Sequence, residues 1–157
     1  RAGRFAAHYR DGEFLWREEW SNTQAADLND HRDPANPGTL GRVLTELQKT
    51  LWEDVGLLRN GTGLTKALNR IRHLRDEVAQ LYVPADDEYI PCLREWHDLG
   101  ASLLVAETIA LGALTRTESR GAHQRSDYEN TDPDQEHHLV IGLQQRTPRI
   151  TGSVAVQ

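Results

Sequence analysis

Three stretches of this chain repeat leucine, isoleucine, valine and alanine at three- and four-residue steps, and that spacing decides most of what the chain can fold into. The first holds Leu40, Val43, Leu44, Leu47, Leu51, Val55 and Leu58. Residues at these steps return to one side of an α-helix, so they form a single apolar stripe that has to be buried against something. Thr39 reads as the N-cap of this helix, and Asn60-Gly61 as its end, because a left-handed Asn or Gly often closes a helix. The second stripe is Leu64, Ala67, Leu68, Ile71, Leu74, Val78 and Leu81, running until Pro84, which lacks the N–H a helix needs. The third runs from about Leu93 through Trp96, Leu99, Leu103, Leu104, Leu111 and Leu114, with Gly121 placed to close it. Leu47 and Leu104 sit at the centres of their stripes. The acidic stretch from Pro84 to Glu88 connects helices two and three, and Tyr89 and Ile90 are expected to fold back onto the core.

Long helices joined by short connections lie antiparallel to their neighbours, since each has one stripe to bury and the loops are too short for crossovers. The expected fold is therefore all-α, an up-down-up three-helix bundle of the spectrin-repeat kind over residues 39–128. Ahead of it, 1–38 reads as the end of an upstream helix, broken at Asp11-Gly12, followed by a polar linker from Ser21 to Gly38 that carries Pro34 and Pro37. A chain that opens on Arg1 and contains no methionine is expected to be a piece of a longer protein. Behind the bundle, in 129–157, His138–Leu143 and Ile150–Val156 read as short strands with a turn near Pro148, a hairpin or extended tail. A lone hairpin is marginal in water, so it should pack on the bundle or on a partner.

Charge narrows the function classes. Lys and Arg number 18 against 24 Asp and Glu, and a net charge of −6 argues against nucleic-acid binding, which needs basic surface to displace counterions from phosphates. Cys92 is the only cysteine, so neither an internal disulfide nor a thiolate zinc cluster can form, and it reads as a small buried hydrophobe. No run reaches the ~20 apolar residues that span a bilayer, and no signal or transit segment is recognisable. The expected setting is cytoplasmic or membrane-peripheral, without direct membrane insertion.

Most residues that invite a chemical reading have a plainer one. Gly61-Thr-Gly-Leu-Thr-Lys66 is glycine-rich and precedes a helix, yet it lacks the phosphate-loop spacing and reads as a turn between helices. His137 and His138 are adjacent, and on a strand adjacent side chains point to opposite faces, so they do not chelate one ion. His73 lies among Arg70, Arg72, Arg75 and Asp76, a run expected to be a solvated face with Arg72 and Asp76 paired one turn apart.

The segment Arg116 to Tyr128 differs, because it gathers Glu118, Arg120, His123, Arg125 and Asp127 where helix three is expected to end. A helix C-terminus leaves unpaired carbonyls and a negative dipole end that Arg120, His123 or Arg125 can satisfy. Such a cluster either caps the helix and pairs with itself, or forms a surface for something else.

Glu118-Ser-Arg-Gly-Ala-His-Gln-Arg-Ser-Asp-Tyr128 resembles a signature of the succinate dehydrogenase/fumarate reductase/L-aspartate oxidase flavoprotein superfamily, Glu-Ser-Arg-Gly-Ala-His-x-Arg-x-Asp-Tyr/Phe-Pro. Glu129 stands where that signature has proline, which puts the turn after Tyr128 in question. Leu51-Trp-Glu-Asp-Val-Gly-Leu-Leu-Arg59 is similar to the superfamily's Met-Trp-Glu-Asn-Val-Gly-Ile-Val-Arg, Gly61–Leu68 to its turn into the second helix, and Arg1–Ala7 to the helix ending its flavin domain. The resemblance implies an FAD-binding domain and a mobile capping domain upstream, holding the residues that bind dicarboxylate and move the hydride and proton. No strand here runs into Gly-x-Gly-x-x-Gly, so no catalytic, cofactor-binding or metal residue is assigned in this chain; FAD belongs to the parent protein. What the resemblance implies for this region is a non-catalytic helical module packed on the flavin-binding domain of the same parent chain and, in respiratory members, near an iron–sulfur subunit. Its docking motif is Glu118, Ser119, Arg120, His123, Arg125 and Asp127, with Arg120 and His123 expected to face the partner and Asp127 to take backbone amides in the turn. A fragment of L-aspartate oxidase or adenylylsulfate reductase, and an independent helical protein-binding module, are the alternatives.

Overall fold

Helix α1 (Pro37–Asp54) starts earlier than the stripe suggests. Asn36 is its N-cap, accepting from the Thr39 N–H at 2.9 Å, and Pro37 fills the first turn, where a missing N–H costs nothing. Leu40, Val43 and Leu47 are buried as the spacing requires, whereas Leu44 is exposed. The helix ends at Asp54, short of Asn60. The chain bends at Val55 and Gly56, and a Cβ on Gly56 would lie 2.7 Å from the Trp52 carbonyl oxygen, so only glycine fits this close approach. Val55 is still buried, but Leu58 has left the stripe for the two-residue strand β2 (Leu58–Arg59) and is exposed.

Asn60 does the opposite of what its place in the sequence suggests. Its backbone is extended (φ −148°, ψ 161°) and its side chain accepts from the Gly63 N–H at 2.8 Å, so it opens helix α2 (Gly61–Ala79) rather than closing α1. Leu64, Ala67, Leu68, Ile71, Leu74 and Val78 are all buried. Leu81 lies past the helix end, in β3 (Leu81–Tyr82), which pairs in parallel with β1 (Asp33–Pro34).

The computed structural model describes residues 33–34, 36–82 and 90–156. The expected helix at 1–10, most of the linker and the connection carrying Tyr89 fall outside the described residues. Ile90 opens helix α3 (Ile90–Thr115). Its buried face is Leu99, Leu103, Ala106, Glu107, Ala110 and Ala113, with Trp96, Leu111 and Leu114 partly buried against the core. Leu104 is only half-buried; the core position beside it belongs to Leu103. The Trp96 indole N–H donates to the Val78 carbonyl at 3.2 Å, tying α3 to the end of α2.

Glu107 is fully buried on α3, held by Arg72 Nε at 2.8 Å and by Arg75. The run expected to be a solvated face therefore sends two guanidiniums inward, and Arg72 pairs with Glu107 instead of Asp76. A carboxylate removed from water is stable only when paired and hydrogen-bonded, which accounts for both arginines. Helix α3 also revises the hydropathy reading, since Cys92–Thr115 is 24 residues with a mean hydropathy of 1.4, long and apolar enough by length and composition to cross a membrane. Here one of its faces packs on the other helices.

Each helix packs on the other two. A two-stranded antiparallel sheet, β5 (His137–Gln144) and β6 (Thr147–Ala155), follows and lies against α3. Gln144 pairs with Thr147 across a two-residue turn, Gln145-Arg146, in which both residues have positive φ (49° and 62°), the hand that suits a twisted hairpin. Pro148 is thus not at the turn but inside β6, fully buried opposite Leu143; a sheet of two strands always leaves one edge where a missing N–H is tolerated.

Candidate functional site

Helix α3 stops at Thr115, well before Gly121, because the segment after it has its own structure. Arg120 and His123 exchange backbone hydrogen bonds at 2.8 and 3.0 Å around a tight turn, and Gly121 supplies its left-handed residue (φ 58°). Strand β4 (Gln124–Arg125) then pairs in parallel with β2, placing Gln124 beside Leu58 and Arg125 beside Arg59.

Arg125 is the centre of this arrangement. It is buried, and its Nη1 donates to the carbonyls of Ala113 at 3.0 Å and Arg116 at 3.1 Å, at the C-terminal end of α3. Its Nε and Nη2 each donate to Asp127 at 2.7 Å, a bidentate pair. The second Asp127 oxygen also accepts from the Gly61 N–H at 2.8 Å, the first amide of α2. One ion pair thus clamps the negative end of one helix to the positive end of another. The Arg125 guanidinium, helped by the Gly61 amide, holds the Asp127 carboxyl well below the usual aspartate range. Arg125 also stacks 4.9 Å over the Tyr128 ring.

Glu118 anchors a second network. It is fully buried, accepting from Arg120 Nε at 2.9 Å, from Arg116, and from the Asp132 N–H at 2.8 Å. Arg120 and these other donors outweigh burial and bring its carboxyl down to about 2. The buried Ser119 accepts from the Arg125 N–H at 2.8 Å and donates to the Tyr128 carbonyl at 2.7 Å. Arg120 Nη2 donates to the Asp132 carbonyl at 3.0 Å. Among the described residues no buried side-chain nitrogen or oxygen lacks a partner.

His123 sits half-buried at the edge of this frame. Arg59 Nη1 donates to its Nδ1 at 2.9 Å, and since a guanidinium can only donate, the ring proton sits on Nε2, facing the Arg116 carbonyl at 3.3 Å. Burial first, then the guanidiniums of Arg59, Arg125 and Arg116, lower its pKa and favour the neutral ring. Arg59, Arg116, His123 and His138 line an open cleft of about 290 Å³ between α3 and β5.

The six expected motif residues therefore come together, each with partners inside the chain. Helix capping falls to Arg125, and Asp127 takes the first amide of α2 as well as a backbone amide in its own turn. Sequence reasoning left out Arg59, Arg116 and Asp132. Of these Arg59 carried a hint as the last residue of the Leu51–Arg59 stretch, and Arg116 as the first of the Arg116–Tyr128 segment. The first amides of Gly61–Lys66 are taken by Asp127 and Asn60, so no phosphate is accommodated there. His137 and His138 alternate along β5, and among the described residues no group of three His, Cys, Asp or Glu could hold a metal. Cys92 is buried, and burial raises its thiol pKa.

A family model described as fumarate reductase flavoprotein C-term matches residues 44–152. A CoM/CoB fumarate reductase polypeptide of Methanothermobacter marburgensis is 30% identical over 112 residues, 70% of this chain and 20% of that protein. An L-aspartate oxidase of Rhodospirillum rubrum is 35% identical over 121 residues, 77% of this chain and 37% of that one. Among solved structures, the Sdh1 complex of Mycobacterium smegmatis in its apo form superposes with a TM-score of 0.67 at 30% identity, covering 89% of this chain and 24% of that chain. The chain spans well under half the length of each of these relatives.

Proposed function

Since the chain belongs to the fumarate reductase flavoprotein C-terminal family, we propose that it is the helical C-terminal domain of a larger FAD-dependent dicarboxylate oxidoreductase, where it docks and does not catalyse. The observation that carries this reading is the exposed apolar side chains of the stretch 52–58, a platform whose end lies beside the charged motif: Trp52 is 85% exposed, Leu57 78% and Leu58 69%. Pairing of β2 with β4 sets Leu58 directly beside the 118–128 segment. Large apolar side chains exposed together and rimmed by charge mark a surface that another protein surface covers. In this reading Glu118, Ser119, Arg125 and Asp127 hold the segment in shape, Arg120 and His123 face the flavin-binding part of the parent, and the bundle of 39–128 runs up-down-up with 129–157 packed on it.

FAD would be held upstream. The glycine-rich start of α2 already has an internal carboxylate on its first amide, so it does not fit a dinucleotide phosphate, and no step of the chemistry is assigned to this chain. An iron–sulfur subunit is the further partner this reading adds, and the setting is cytoplasmic or peripheral to a membrane through partner subunits. The likeness to L-aspartate oxidases supports a second reading of the parent, as an enzyme of that kind, with the same docking role for this domain.

The test is to place Leu57→Ser with Leu58→Ser in the full-length parent and in the isolated chain. Because both side chains are exposed, the isolated chain should unfold within about 0.5 kcal/mol of the unchanged one. The parent should lose flavin retention and activity. Equal damage to both, or none to the parent, would refute docking through this platform.

A further inference from the structure

Arg59 stands apart from the arginines of the 116–125 segment. Arg116 and Arg120 share Glu118, and Arg125 is bound by Asp127, but among the described residues Arg59 takes part in no ion pair. Its head is nevertheless fixed. Nε donates to the Val55 and Gly56 carbonyls at 3.1 and 2.8 Å, and Nη1 to His123 Nδ1, all of them neutral acceptors. Its Nη2 has no hydrogen-bond partner among the described residues. The wall on which it lies carries Arg116, His123 and His138, with Ile109 and Leu139 as apolar lining, and no acidic side chain. A guanidinium immobilised with one nitrogen open, in a cleft with no acid, is half of an ion pair.

We propose that this cleft receives one carboxylate side chain from the flavin-binding part of the parent, taken by Arg59 Nη2 beside His123 and His138. The proposal rests on the docking reading above and names the charged contact within it. Two observations favour a protein side chain over a free dicarboxylate. A dicarboxylate needs a second cationic partner, and Arg116 already spends Nη1 on Glu118 and the Gln135 carbonyl and Nη2 on the His137 carbonyl. Leu57 and Leu58, which precede Arg59 in the chain, belong to the exposed platform, so a surface that covers them also closes over the cleft. Arg59 would lose water in that event, and a desolvated cation requires an opposite charge.

The experiment measures association of the chain with the parent protein truncated before it, by titration calorimetry at two salt concentrations, for the unchanged chain, Arg59→Gln and Arg59→Lys. Far-UV circular dichroism of each variant establishes that it is folded. Arg59→Gln should weaken association about tenfold or more and flatten its salt dependence, and Arg59→Lys should recover part of both. If the unchanged chain associates and Arg59→Gln binds as tightly with the same salt dependence, the carboxylate contact is wrong while docking stands. If nothing associates, docking falls and the contact with it. In a separate arm, succinate is titrated against the His123 ring resonances of the isolated chain. Saturable, Arg59-dependent shifts, with association indifferent to Arg59, would make the cleft a small-molecule site and overturn the proposal.

Discussion

Replacing Arg125 with alanine should be among the most damaging single changes in the chain, and the structure gives the reasons. The substitution frees the Ala113 carbonyl, leaves the Arg116 carbonyl with His123 Nε2 alone, and leaves Asp127 with the Gly61 amide but no counter-charge. Removing one side of a buried ion pair typically costs ~3–5 kcal/mol. At ~2–4 °C per kcal/mol for a chain of this size, the melting temperature should fall by roughly 6–20 °C. Asp127→Ala removes the same pair and the cap on α2, and a helix cap alone is worth ~1 kcal/mol. Because both act through one contact, the double variant should be less destabilised than the two single losses added together, by ~1–3 kcal/mol. Urea unfolding followed by far-UV circular dichroism provides all four corners of the cycle. A loss under about 1 kcal/mol for Arg125→Ala, or strict additivity, would mean that the clamp does not join the helices.

Acid should unfold the chain through the same segment. Both Glu118 and Asp127 have folded pKa values below their unfolded ones, so their stabilisation is present above the unfolded value and disappears as pH falls through the folded value. For Glu118 that window runs from 4.5 to about 2, and urea midpoints measured across it should drop less steeply in Glu118→Gln than in the unchanged chain. In the core, Leu103→Ala should cost ~2–5 kcal/mol and the half-buried Leu104→Ala clearly less; equal losses would misplace the buried face of α3. Glu107→Ala should destabilise by ~3–5 kcal/mol because Arg72 and Arg75 lose their shared acid, whereas a loss near zero would mean that the pairs are solvated. The isolated chain should be colourless and inert with succinate or fumarate plus artificial electron carriers; flavin absorption persisting through gel filtration would refute its non-catalytic assignment.

The helices were readable because period is local information. Six of the seven residues in the second stripe are buried. Errors fell where one residue type serves two opposite purposes. Asn60 is as good an N-cap as a helix terminator, and only its extended backbone tells which. Gly121 does adopt positive φ, but a tight turn demands that as readily as a helix end does. Pro148 signals a turn on average, and the true turn is made by Gln145 and Arg146, whose side chains gave no such signal. The motif was legible as a charge cluster and through its resemblance. The pairing of Asp127 with Gly61 spans the chain from one helix end to another, and no spacing rule reaches that far. The isolation of Arg59 was not legible for the same reason, since it is a property of the assembled cleft.

The claim that this is the docking domain of a flavoprotein is tested most directly on the native polypeptide, isolated from its source cells with an antibody against these residues and examined for intact mass and visible absorption. The account predicts a single polypeptide several times the mass of these 157 residues, carrying flavin. A colourless polypeptide of this length alone would contradict it.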